Sequence, residues 1–170
     1  MKWLIAIWLL CAGAGVSFSI IKERAGRITL LKEMEQSLKK LAYYMYQWKM
    51  PAEEAFRHVA VEEQGGLFSF YQAMYTSLTE KKAESLSALW QEKSSLYIDR
   101  RDLQEKVWLY WQECFSHIPM EPEALNKRLF LRAEEIAVCR AGLEEKYKGE
   151  QKLVLTLGLF TGAFICLVLW

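Results

Sequence analysis

The chain has 170 residues, 52% of them hydrophobic and 25% charged, with 22 basic side chains against 21 acidic ones. So even a balance excludes the basic surface that polyanion binding requires, and no nucleic-acid partner is expected. Four cysteines without framework spacing exclude a disulfide-stapled fold.

The charges are sharply partitioned. Trp3 to Ile21 is nineteen residues without Asp, Glu, Lys or Arg, and Leu153 to Trp170 is eighteen more. As helices, at about 1.5 Å per residue, these stretches cover roughly 27–29 Å, close to the hydrocarbon thickness of a bilayer. The expected organisation is an N-terminal transmembrane helix (1–21), one polar domain (22–152) and a C-terminal transmembrane helix (153–170), with membrane lipids as the first partner. A cleaved signal peptide fits less well, because the apolar character continues through Val16, Phe18, Ile20 and Ile21, past a usual h-region. Leu10 before Cys11 also stands where a lipid-attachment site needs a small residue.

Orientation follows from the flanking cations. Lys22, Arg24, Arg27 and Lys32 follow the first stretch, and Arg140, Lys146, Lys148 and Lys152 precede the second, whereas only Lys2 lies beyond. The positive-inside rule then places the domain in the cytoplasm of a two-span cell-membrane protein. Gly13 with Ser17, and Gly158 with Gly162, form small-residue faces through which spans pack, within the chain or between subunits of a homo-oligomer.

Within the domain the pattern is all-α, a bundle of about six helices. From Arg27 to Trp48, the residues Leu31, Met34, Leu38, Leu41, Met45 and Trp48 recur at steps of three and four, which predicts an amphipathic helix loosened at Gly26. Pro51 opens a second helix, with Glu53 and Glu54 in its first turn, Phe56, Val59 and Ala60 inside, and Gly65-Gly66 ending it. A third runs from Leu67 to about Leu78, and a polar connector covers Thr79 to Glu84. A short fourth helix begins at Leu86. A fifth spans Asp99 to Ser116 and buries Leu103, Val107, Tyr110, Trp111 and Cys114. Pro122 opens the sixth, whose Leu125, Leu129, Arg132, Ile136, Cys139 and Leu143 keep the spacing into the last apolar stretch, weakened at Gly142 and Gly149.

Chemistry has few candidates. Glu54, His58 and Glu62 share a helix face at i, i+4, i+8, but three ligands along one helix stand too far apart to close around a metal. Cys114 and His117, at i and i+3, lack two further ligands unless Cys139 and another residue supply them; a buried thiol is the ordinary explanation. The pairs Glu62-Glu63, Glu134-Glu135 and Glu144-Glu145 are expected on solvated faces. No catalytic residue, metal site or cofactor is expected. Tyr43 and Tyr46 share a face with Gln36 and Lys39 opposite the apolar stripe, and Trp108 and Phe115 widen the fifth helix's apolar arc. These four aromatics are the candidate partner interface, with second-side core as the alternative.

One ordered set of motifs goes further. Pro51, Glu54, Ala55 and Phe56 follow a helix rich in aromatics at its end; Gly65-Gly66 then leads into Leu67-Phe68. Ser85-Leu-Ser-Ala-Leu-Trp90 and the closing Leu157-Gly158-Leu-Phe-Thr-Gly162 come later. In this order, over nearly the whole chain, the sequence resembles the stage III sporulation protein AB family. Two places depart from the family pattern. Leu41 to Tyr46 stands where many members carry glutamates, and Ile118-Pro119-Met-Glu-Pro122-Glu stands where Asp-Arg and Gln are common.

The resemblance implies a helical domain similar to the cytoplasmic domains of type II secretion inner-membrane platform proteins. It implies a non-enzymatic, cofactor-free subunit in the mother-cell membrane around the forespore. The assembly would be secretion-like and trans-envelope, with sister subunits and a cytoplasmic ATPase as partners. From the residues alone, a membrane-anchored helical regulatory module that binds a soluble signalling partner is the alternative.

Overall fold

The structure, a computed structural model, describes residues 2–63, 65–80, 85–116 and 121–169, and the side chains of all these except 2–18, 20, 151–155, 157–159 and 161–169. Six α-helices account for most of the described residues: α1 Lys2–Tyr46, α2 Ala52–Glu62, α3 Phe68–Thr79, α4 Leu86–Tyr97, α5 Glu105–Gln112 and α6 Pro122–Leu169. Two 3-10 turns, Arg100–Asp102 and Glu113–Phe115, flank α5. The chain divides into two compact units, Thr29–Arg140 and Met1–Ile28 with Ala141–Trp170.

The Thr29–Arg140 unit is built around the predicted α1 stripe. Leu31, Met34, Leu38 and Leu41 are all buried, and each removes enough apolar surface to contribute roughly 1.5–3 kcal/mol. They meet Ala55, Phe56, Val59 and Ala60 of α2, Phe70, Tyr71 and Met74 of α3, and Leu129, Ala133 and Ile136 of α6 in one core. Its centre is aromatic. The Trp90 ring lies 4.9 Å from Phe70, 4.7 Å from Trp111 and 4.7 Å from Phe115. Tilted and edge-on packing of this kind adds to what the buried area contributes.

Local chemistry sets the helix ends. Ser85 caps α4, its hydroxyl accepting the Ala88 N–H at 3.1 Å. The fifth helix is shorter than periodicity predicts. Asp99 accepts the Arg101 N–H at 2.9 Å, a local turn that competes with helix, and Leu103 and Gln104 are extended before α5 begins. Conversely, α1 runs unbroken through Gly26, and α6 through Gly142 and Gly149. The propensity cost of an isolated glycine, about 1 kcal/mol, is small beside a long helix.

In the other unit, Arg24 of α1 pairs with Glu150 of α6 at 2.7 Å and lies 5.0 Å from the Tyr147 ring. Of the predicted spans, residues 2–21 and 153–169 are backbone helix within α1 and α6. Among the described residues no helix is long and apolar enough to cross a membrane. Apart from Ser19, Ile21, Thr156 and Phe160, the side chains of both stretches lie outside the described ones, as does any packing at Gly13, Ser17, Gly158 and Gly162.

Candidate protein-interaction site

The end of α1 gathers three aromatics that stay outside the core. Tyr43 is 47% exposed, Tyr46 36% and Trp48 56%. Periodicity assigns Trp48 to the buried stripe. It leaves that stripe because α1 stops at Tyr46, and Lys49 then adopts the left-handed conformation at φ 52°. The Met50 N–H closes this end by donating to the Tyr44 carbonyl at 3.1 Å. Trp48 folds back onto Tyr43 and Tyr44, with ring centroids 5.8 and 5.6 Å away.

Tyr44, between the exposed pair, faces inward and anchors this end to α2. Its hydroxyl donates to the Glu62 carboxylate, and its ring lies 5.4 Å from His58. That hydrogen bond, with burial second, pushes the Tyr44 phenol up to about 12, and the same bond holds the Glu62 carboxyl below the usual carboxylate range against the effect of burial. Lys40 completes the cluster, 3.2 Å from Glu62 and 3.1 Å from Glu63. Burial works against its charge, yet Glu63 and then Glu62 raise its pKa. Glu63 is therefore no solvated carboxylate, as its place in a Glu-Glu pair suggests, but a buried one with a cation supplied from α1.

A cleft of about 550 Å³ opens beside Tyr46. Met45 and Tyr46 of α1, Met50 beyond it, and Pro122, Leu125 and Leu129 of α6 form most of its wall. Rigid helices thus present an apolar recess next to exposed aromatic rings, the composition enriched at the centre of protein interfaces. Methionine walls add adaptability to the shape of an incoming side chain.

The other sequence candidates separate from this face. Trp108 is half-buried on α5. Phe115 is fully buried against Trp90 and Phe56, so it is core and offers no surface. Glu54 is exposed, His58 is half-buried, and Glu62 is engaged by Tyr44 and Lys40. Among the described residues no group of three His, Cys, Asp or Glu side chains is placed to hold a metal ion. Cys114 is buried, its thiol pushed up by burial and hydrogen-bonded to the Tyr110 carbonyl at 3.3 Å; His117 lies outside the described residues.

The motif residues occupy structural positions. Pro51 precedes α2 with φ −55°, Glu54 is solvent-facing in its first turn, and Ala55, Phe56 and Trp90 are fully buried. Gly65-Gly66 receives α1, for the Gly66 N–H donates to the Glu33 carboxylate at 2.9 Å. Burial raises the Glu33 pKa against that bond.

The described residues thus define an all-helical protein with an aromatic core and an apolar recess on its surface. Residues 2–170 match the family described as Stage III sporulation protein AB, and the chain belongs to that family. Membership implies a role in the stage III sporulation complex. No curated protein and no solved structure matches the chain.

Proposed function

We propose that this chain is a non-enzymatic membrane platform subunit of a secretion-like, trans-envelope assembly that links mother cell and forespore. Two apolar stretches, 3–21 and 153–170, hold it in the mother-cell membrane and present the bundle to the cytoplasm. The bundle then contacts sister subunits and a cytoplasmic ATPase through protein surfaces alone. The family match over 2–170 carries this reading, because it takes in both uncharged ends together with the helical domain. The exposed Tyr43, Tyr46 and Trp48, and the cleft that Tyr46 lines, support action by contact.

The test is affinity purification of the full chain from membranes of sporulating cells. Co-purification of an ATPase and small membrane subunits is expected. Recovery of only a kinase or transcription regulator would replace this reading with that of a signalling module.

A further inference from the structure

Arg24 is held from α6 by two groups at once. Its guanidinium pairs with the Glu150 carboxylate at 2.7 Å and lies 5.0 Å from the centre of the Tyr147 ring. Lys146 approaches the same carboxylate at 3.9 Å. Arg24 stands three residues past Ile21 and Glu150 three before Leu153, so the contact lies equally far from both uncharged stretches. Met1–Ile28 and Ala141–Trp170, which carry it, form one compact unit. Each helix is continuous through its part of that unit and turns about 100° per residue. Gly13 and Ser17, eleven and seven residues before Arg24, therefore fall within about 20° of its direction. Gly158 and Val154, eleven and seven after Tyr147, fall equally close to the direction of that ring. Counted from the Arg24–Tyr147 contact, Ser17 is level with Val154, and Gly13 with Gly158. The described side chains of the two stretches agree with this seam. Ile21, about 60° from Arg24, is half-buried. Ser19, about 140° from Arg24, and Thr156 and Phe160, about 140° or more from Tyr147, are exposed.

We infer that Arg24, Glu150 and Tyr147 form a clasp at the membrane surface that sets the register of an intrachain hairpin, with Gly13 and Ser17 packed against Gly158 and Val154. The two parts of this seam do different things. Small residues let the backbones approach closely, which drives helix association in lipid where burial of apolar area does not. They do not select one register over its neighbours. The clasp does, because slippage by one turn would carry the guanidinium about 5.4 Å from its carboxylate and off the Tyr147 ring. Gly13 and Ser17 are then used up within the chain and do not join it to a second copy. This inference rests on the reading that the two uncharged stretches span the membrane.

The test is disulfide crosslinking of the full chain in membranes, with Cys11, Cys139 and Cys166 replaced by serine and the buried Cys114 kept. Oxidation of the Ser17→Cys, Val154→Cys variant should leave a monomer on a non-reducing gel, and its tryptic peptides 3–22 and 153–170 should stay joined until reduction. The Gly15→Cys, Thr156→Cys variant places two thiols at the same depth on the far sides and should not crosslink. Arg24→Glu sets two carboxylates against each other and should slow the first crosslink about fivefold or more. Adding Glu150→Arg should restore the rate. Crosslinked dimers in place of joined monomers, equal rates for the two cysteine pairs, an Arg24→Glu rate like that of the parent, or a charge-swapped variant that stays slow would overturn the inference. An alkaline carbonate wash of the same membranes separates this failure from that of the anchor reading. Release of the chain sinks the anchors and the clasp with them, whereas retention with any of those crosslinking results loses the clasp alone.

Discussion

Trp90 and Trp111 hold each other through ring and backbone at once. The Trp90 indole N–H donates to the Trp111 carbonyl at 2.7 Å while the ring centroids stand 4.7 Å apart. Trp111 in turn donates to the Ser94 hydroxyl at 2.9 Å, one turn along α4 from Trp90. Ser94→Ala would leave that indole N–H buried without a partner and should lower the unfolding free energy by about 1–3 kcal/mol. Trp90→Ala, which empties the aromatic centre, should cost about 3–5 kcal/mol. Urea unfolding followed by tryptophan fluorescence measures both, and a Trp90→Ala cost below that of Ser94→Ala would displace Trp90 from the centre.

The Tyr44–Glu62 hydrogen bond makes stability fall at both ends of the pH scale. It needs a protonated phenol and an ionised carboxylate. The Glu62 pKa is depressed on folding, so its contribution is present above about 4.5 and lost as pH falls through the lower folded value. Tyr44 is raised from 10.0 to about 12, so its contribution is full below 10 and lost as pH climbs through 12. Tyr44→Phe should flatten both flanks of a melting-temperature profile. Unaltered acid and alkaline slopes would show that the two groups are uncoupled.

Gly65 leaves room for the side chain facing it. A Cβ there would overlap the Glu33 carboxylate, which accepts the Gly66 N–H. The carboxylate ends a flexible side chain, so it swings away and gives up that bond. Gly65→Ala should therefore cost about 1 kcal/mol, as should Glu33→Ala. The double variant should cost no more than the larger single one, because both remove the same contact. Additive losses in thermal melts would mean two independent effects.

Lys49, three residues past the end of α1, holds a left-handed conformation that glycine adopts more readily. Lys49→Gly relieves the left-handed strain and should raise stability by about 1 kcal/mol. A lower melting temperature would contradict this and would mean that the lysine side chain contributes packing.

Much of the bundle is legible in the spacing of apolar residues. The buried run Leu31, Met34, Leu38 and Leu41 follows directly from period, and the outward turn of Tyr43 and Tyr46 follows from 100° per residue. The misses come from what period does not encode. Trp48 falls off the stripe because α1 stops two residues before it, at Tyr46. Asp99 shortens the fifth helix by a bond two residues long. Glu63 is buried because a lysine 23 residues earlier reaches it. Ala133 belongs to the core through the close approach of α6, which its small side chain permits but does not announce. The cleft is the same kind of feature, for it exists only where Leu125 and Leu129 stand near Met45 and Tyr46.

The platform account turns on which side of the membrane carries the bundle. Right-side-out and inverted vesicles from cells producing the full chain, washed with alkaline carbonate and then treated with protease, decide this directly. Retention in the washed membranes is predicted, with residues 29–140 digested only in the inverted vesicles. Release by carbonate, or digestion in right-side-out vesicles, would contradict it.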